Sequence, residues 1–600
     1  MQSLERQAQR GRSPLSPLTA IALGVIAALV LVNALSPAVF WVEKLYLVGL
    51  AVGLASCARM VWRGAPGSAL WTAAALGADA AVAASADALT SGGVAIGLAV
   101  ALAAALAERG PEPLPEAWWR GGALLAWAAL CAFLVSGFPP SVDLPAHGAQ
   151  MQTLVELLRG EPDLRALYRI QFPLGYGLPY WLFLPVAWLG SGALAMRAAL
   201  WLALVAFPVS VSALLRAAGR PAPVPLLALC LPLAFNLSYW YGLVSGLFAQ
   251  PLALFGLAAY LEALKDGRRR WVVLANLAGA ACLLSHLVAF AVLAFLVGVA
   301  ALASRPRGKA IRMGALSLGL PVALSLPKAI GMATRAVTPG DWPATFYGAE
   351  AHLNWFFKNY RPEGLLSIAG PLAIAAAFAG LWGWRWRRSE PDLRPVALFL
   401  AMSALYVASP KTLSGIYLIA MRLPVFAGAL ALLLVPWSAV PRVLRVGMLL
   451  VAVASLAETT AFHVRFKREV DGLQALIASG PRPGRHGYVP LNGTKVLGSH
   501  HIYAEHLGQW WTAERGGVGH HFFADAEHHP VAFQPGVTVP ATLEDGKSRV
   551  GWFDELLVYG DGPLPEWLAG FDEVERAGAN WRRLRRRPET PPAPGPSPGD

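Results

Sequence analysis

The chain has 600 residues, of which 56% are hydrophobic and only 14% charged, at a mean hydropathy of +0.49. Soluble domains carry about 25% charged residues, so this composition excludes a soluble globular enzyme, a disordered chain and a fibrous protein, and points to a polytopic membrane protein. The net charge of +13 is uneven: residues 1–460 carry 34 Lys and Arg against 19 Asp and Glu, and residues 461–600 carry 15 against 17. This reads as orientation by short basic loops rather than as nucleic-acid binding.

The basic N-terminus, MQSLERQAQRGRSPLSP, precedes a first apolar run at 18–35. No A-x-A-like cleavage site follows, so the run reads as a start-transfer helix with a cytoplasmic N-terminus. Further apolar segments fall at 41–60, 68–90, 92–107 and 121–137, which leaves Gly137 outside. Residues 178–215 allow either one span or two. One span, at about 194–215, keeps Arg216, Arg220 and the basic runs at 265–270, 305–312 and 385–388 on the inside, as the positive-inside rule requires. The aromatic stretch 172–190 then lies at the outer interface. Spans follow near 223–240, 243–263, 271–285, 287–303, 311–330, 366–384, 396–410, 424–440 and 443–460, about 13 to 15 in all.

The tail is different. Residues 462–587 mix polarity with turn residues and short strand-like runs such as VAFQPGVTV and ELLVYG, enough for one small α/β domain outside the membrane. Residues 588–600 are Pro-rich and expected to be disordered. The expected division is a transmembrane bundle at 1–110, a transmembrane core at 117–461 with outer loops at 138–193 and 331–363, and the tail domain. All four cysteines, Cys57, Cys131, Cys230 and Cys282, lie in apolar runs, which argues against a disulfide framework or a cysteine zinc site.

Chemistry concentrates in GFPPSVDLPAHGAQMQTLVELLRG, residues 137–160. Asp143 follows a span by about six residues, beside Pro139, Pro140 and Pro145. A carboxylate held at the membrane surface can act as a general base or hold a metal or a sugar hydroxyl. Asp before Pro is also a standard helix start, so Asp143 equally reads as the N-cap of an amphipathic helix at 146–159. His147, one turn on, shares its face. Glu350 and His352 in FYGAEAHLNWFF could add a second acid or ligand. His286 sits at an outer span end, where an ionisable group is a functional candidate or an interfacial one. Asp79 and Asp87 share a face of the third span and suit an ion relay or a span end. From His486 onward the tail holds eight of the twelve histidines. Of these, His500, His501, His520 and His521 are weak candidates for a divalent metal, or simply a His-rich surface. No Walker A, G-x-G-x-x-G or G-x-S-x-G pattern occurs, so nothing signals nucleotide use.

The string DLPAH at 143–147, the amphipathic helix and the aromatic segment PLGYGLPYWLFLPVAWLG together resemble the first outer loop of the GT-C class of integral-membrane glycosyltransferases. FDELLVYG and WRRLRRR resemble the end of the extracytoplasmic domain that many bacterial members carry. The resemblance covers about residues 121–587 and leaves the first four spans outside it. It implies a GT-C-like helical membrane protein in a bacterial inner membrane, transferring a sugar with inversion from a polyprenyl-phosphate donor to a glycan, lipid or protein acceptor. Asp143 is then the base, and His147, Tyr176, Glu350 and His352 are acceptor or donor contacts. Lys358, Arg361, Lys411 and Arg422 are candidates for the lipid phosphate, or snorkelling interfacial anchors. The acidic pairs of many GT-C loops are absent, since Ser141, Val142 and Leu144 flank Asp143, which leaves metal dependence open. A transporter or flippase would instead show two related halves with broken spans, and a non-catalytic scaffold would keep the fold without the chemistry. An enzyme should bring Asp143 together with at least one of the four cations.

Overall fold

The computed structural model describes residues 116–220, 226–334 except 228, 393–411, 418–435, 442–480, 484–491, 502–519, 529–537 and 550–588, with a few single positions between. The spans expected before residue 110 and at 366–384, Asp79, Asp87, most of the 331–363 loop and the Pro-rich end beyond 588 lie outside these residues. The chain forms two compact units, Met1–Phe133 and Leu134–Asp600. Helix α1, Glu116–Val135, occupies the expected fifth apolar segment.

In the second unit, α2 (Leu144–Arg159) carries Pro145 in its first turn and stops at Gly160, whose φ of +91° suits a residue without a Cβ. It was expected to be amphipathic, yet every side chain from Leu144 to Leu157 is buried. The polar face is covered because the chain's C-terminal part packs on it. A short helix α3 (Pro162–Leu167) and strand β1 (Tyr168–Ile170) lead to α4, Leu178–Leu189, and then α5, Gly192–Ala217. Helix α5 is 26 residues long, about 39 Å at 1.5 Å per residue. A single long helix here agrees with the one-span reading of 194–215. It meets α2 closely: a Cβ on Gly192 would lie 2.2 Å from the Gly148 carbonyl oxygen.

The 223–240 stretch corrects an expectation. Its described part is no continuous helix but two single turns, Leu231–Ala234 and Leu237–Trp240, either side of Asn236. Pro221, Pro223, Pro225 and Pro232 remove backbone donors, and hydropathy alone does not register that loss. Broken backbone is tolerated at apolar depth only where protein satisfies it. Asn236 does this: its Oδ1 accepts from Ser238 N (2.9 Å), and its Nδ2 donates to Leu233 O and to Gln250 Oε1, each at 3.0 Å.

Four helices follow: α6 (Val244–Asp266), α7 (Arg269–Ser285), α8 (Leu287–Ala303) and α9 (Arg307–Thr334). Lys265 Nζ donates to Arg216 O (3.2 Å), and Tyr260 Oη donates to Ala310 O (3.1 Å). The basic turns after α5, α6 and α8 therefore share one end of the bundle, opposite the start of α5. Val273, Leu274 and Leu277 of α7 and Ile311, Leu316 and Leu320 of α9 are exposed, an apolar face suited to lipid. Helices α10 (Leu393–Ala408), α11 (Pro424–Ala431) and α12 (Arg442–Ser479) complete the helical part. Among the described residues three helical segments, Gly192–Ala217, Val244–Asp266 and Arg307–Pro327, are long and apolar enough to cross a membrane. Shorter apolar helices include Leu287–Ala303 and Leu393–Ala408.

Helix α12 does not end where its apolar run ends near 460. It continues to Ser479 and carries a five-stranded sheet. The strands are β2 (Arg485–Pro490), β3 (Val518–Gly519), β5 (Glu555–Tyr559), β6 (Phe571–Ala577) and β7 (Trp581–Arg586), in the order β3-β2-β5-β7-β6. Strand β2 is parallel to β3 and β5, and β7 is antiparallel to β5 and β6. Glu469 ties helix to sheet: its Oε1 accepts from Tyr559 Oη and Asn580 Nδ2, each at 2.8 Å. Strand β4 (Val531–Phe533) leaves this sheet and pairs antiparallel with β1, 360 or so residues upstream. Helix α13 (Gln509–Arg515) packs on α2. There Phe138 stacks on Trp510 at 4.8 Å, and Glu514 accepts from Arg197 (3.0 Å) and Ser191 (2.8 Å).

Replacing Asn236 with Leu leaves the Ser238 amide uncapped and removes the acceptor and donor that face Gln250. The cost expected is about 2 kcal/mol, read as a lowered unfolding temperature of the full chain in detergent.

Candidate functional site

The site grows from one turn. Val142 N donates to Trp240 O (3.0 Å) and Asp143 N to Tyr241 O (2.9 Å), so the main chain fixes Asp143 against the broken segment. Gly242 makes the approach feasible. Its φ is +70°, and a Cβ there would lie 2.4 Å from Leu144 N and 3.0 Å from Asp143 N.

Asp143 occupies the N-cap position of α2 but does not cap it. Its backbone is in the helical region (φ −91°, ψ −8°), and its side chain accepts no bond from the first turn. An N-cap normally holds an extended conformation that turns its oxygen onto the free amides. Here the carboxylate is released and turns to the C-terminal part of the chain, where its Oδ1 lies 3.6 Å from His506 Nε2. Both side chains are largely buried, 19% and 13% exposed. Burial, then the charge of Glu505, pushes the Asp143 carboxyl up to about 8, against the pull of Arg422. Tyr241 is raised too, by burial and by the charges of Asp143 and Glu505. Glu505 itself is raised by burial. The turn thus gathers two carboxyl groups, an imidazole, a guanidinium and a phenol from four distant stretches of sequence.

The other expected residues fall as follows. The His147 backbone N–H donates to Asp143 O (3.0 Å), and its Nδ1 meets Tyr180 Oη at 2.5 Å. Its ring lies 5.5 Å from that of His529. Tyr176 Oη is 3.3 Å from His286 Nε2, and its ring is 6.0 Å from His529. His286 breaks the chain between α7 and α8 and caps α8, its Nδ1 accepting from Ala289 N (3.4 Å). Its Nε2 also meets the Arg422 guanidinium. Arg422 therefore joins Asp143 at this end of the bundle. Lys411 is exposed, on the stretch returning to Arg422, where its carbonyl accepts from Ile419 N (3.2 Å). Glu350, His352, Lys358, Arg361, His500, His501, His520 and His521 lie outside the described residues. Among the described residues no group of three or more His, Cys, Asp or Glu is arranged to hold a metal ion. Of the tail histidines described, His486 meets Thr512 Oγ1 at 2.8 Å inside the core.

Sequence reading did not find Glu505, Tyr180 or Tyr241, and it counted His506 and His529 only as members of a His-rich tail. No spacing rule links them to Asp143. The one available signal was the buried-looking, aromatic-rich context of HIYAEHLGQWW.

No family model and no curated protein matches the chain. Among solved structures it is similar to the crystal structure of ArnT from Cupriavidus metallidurans in the apo state. That likeness has a TM-score of 0.47 and 14% identity, over 78% of this chain and 98% of the other.

Gly242→Ala should destabilise the chain by about 1–3 kcal/mol, because the added Cβ meets both a positive φ and the Asp143 main chain. Thermal unfolding in detergent measures it. Gly267→Ala, which has a similar φ of +67° but open space around it, isolates the backbone share.

Proposed function

We propose that this chain is a GT-C-like integral-membrane glycosyltransferase, in which Asp143 deprotonates an acceptor hydroxyl on the extracytoplasmic side of a bacterial inner membrane. The donor is a sugar on polyprenyl phosphate, and the acceptor is a glycan, lipid or protein of the envelope. The observation that carries the reading is the state of Asp143: placed as a helix cap, it does not cap, and is held in a buried turn beside charged groups. A carboxyl with its affinity for protons raised toward neutral pH is matched to general-base work.

In the proposed step the acceptor oxygen gives its proton to Asp143 and attacks the anomeric carbon from the face opposite the lipid phosphate. The sugar–phosphate bond breaks with inversion, and the phosphate leaves with the bonding electrons. Arg422 meets that charge as a half-buried guanidinium, a planar fork suited to phosphate oxygens. His147 and Tyr176 line the approach as acceptor or donor contacts. The basic turns at the far end of the bundle face the cytoplasm, and α7 and α9 present their apolar faces to lipid. The sheet carried by α12 stands outside, within a C-terminal domain at 462–587.

The test is transfer of radiolabelled sugar from a panel of polyprenyl-phosphate sugars by membranes holding the full chain. Asp143→Asn should lower turnover on the order of 10²–10⁴-fold with the protein still folded, and full activity in that variant would refute the base assignment. No transfer by the wild type from any donor would favour a transporter or scaffold. The pH dependence has a defined sign. The base works ionised, so kcat/KM should climb about tenfold per pH unit below about 8 and level off above it. Arg422→Gln removes a charge that pulls against this rise, so the climb should shift to higher pH and donor KM should increase.

A further inference from the structure

The segment that meets Asp143 is pinned on both sides. Behind it, Tyr503 is fully buried and packs on Phe462 and Phe466 of α12, with ring centroids 5.7 and 5.4 Å away. Ahead of it, Trp510 and Trp511 of α13 are fully buried, and Trp510 stacks on Phe138. The turn between them is tight: Glu505 N donates to Ile502 O and Gln509 N to His506 O, each at 2.9 Å. Gly508 lets it press on the sheet, since a Cβ there would lie 2.2 Å from the Tyr488 Cβ. Beyond α13, Gly517 N donates to the buried Glu156 of α2 (3.4 Å), and Gly516 leaves no room for a side chain against that carboxylate. Strand β4 repeats the attachment: it pairs with β1, and Gln171 Nε2 donates to His529 O (2.6 Å). Residues 505 and 506 thus have few ways to move, and they end beside the one carboxylate that α2 leaves uncommitted.

We propose that His506 is a positioning residue for Asp143, with Glu505 beside it as the second carboxylate of the site, so that the C-terminal part of the chain completes the site formed by the first outer loop. The inference rests on the base assignment for its catalytic meaning, but its structural content stands apart from it. The Nε2···Oδ1 separation of 3.6 Å is longer than a direct hydrogen bond, which fits a contact that closes when substrate fills the turn. An imidazole N–H facing a carboxylate favours its ionised form, and a neighbouring carboxylate opposes it. His506 and Glu505 therefore act on Asp143 in opposite senses. Among the described residues, the other titratable and charged groups around the carboxylate are Arg422 from the turn before α11, Tyr180 from α4, Tyr241 after the broken segment and His147 on α2. All of them are unchanged in the variants below.

The test needs no substrate. Infrared difference spectra of the full chain in detergent, stepped through pH, report the carboxyl C=O band that Asp143→Asn removes. Its midpoint should rise by about one pH unit in His506→Ala and return most of the way in His506→Gln, which restores an N–H donor. In Glu505→Gln it should fall by a similar amount. If His506→Ala does not fold, the His506→Gln and Glu505→Gln pair still carries the test. Midpoints that stay at the wild-type value, or that move in the same direction in His506→Ala and Glu505→Gln, overturn the proposal. In the transfer assay His506→Ala should lower kcat on the order of 10²-fold with KM little changed, as for a misplaced base, and His506→Gln should recover part of it. Transfer that survives Asp143→Asn defeats the base assignment and leaves the infrared result to decide the positioning. Loss in Asp143→Asn with unmoved midpoints defeats the positioning alone.

Discussion

The structure around Asp143 depends on two main-chain bonds, from Val142 and Asp143 to the carbonyls of Trp240 and Tyr241. They join the turn before α2 to a segment that cannot be a continuous helix, because prolines and Asn236 interrupt it. Were that segment helical, those carbonyls would be spent within it, and nothing would hold the start of α2. The broken backbone is thus what frees an edge for Asp143, and Gly242 supplies the clearance. The Asn236–Gln250 pairing satisfies groups that would otherwise be orphaned in an apolar setting.

A released carboxylate in a buried turn is costly unless charge and dipoles are placed around it. The chain places them by covering α2 from Leu144 to Leu157. A helix with Gln150, Gln152, Thr153 and Glu156 among its buried residues needs polar partners from elsewhere. Gln152 receives the Gly192 amide on its Oε1 (3.0 Å), and Glu156 receives the Gly517 amide. The same covering lowers water access to Asp143, which is the main cause of its raised proton affinity. Packing and electrostatics are here one arrangement.

Several features were legible in the sequence. The single helix at 192–217 followed from the positive-inside rule, and Asp-Leu-Pro marked the start of α2. The placement of basic turns at one bundle end follows the same charge pattern. What was not legible depends on contacts over long sequence separations. Hydropathy scored 223–240 as a span because it weighs side chains and ignores missing backbone donors. The amphipathic pattern of 146–159 implied a wet face, which the C-terminal part of the chain covers. Glu505 and His506 belong to no motif of their own, and the aromatic anchors Tyr503 and Trp510 on either side decide where they go.

The clasp between β1 and β4, with the contacts of α13 on α2, joins stretches about 361 residues apart. At 5–20 residues per second of synthesis, roughly 20–70 s separate the emergence of one partner from that of the other. During that interval α2 has a polar flank with no cover and Asp143 has no neighbour from the tail. The stretch before and within α2 must therefore wait, part-folded, for a later-made portion of its own chain, and a ribosome that stops early leaves behind a helical bundle whose Asp143 carboxyl is still open to water.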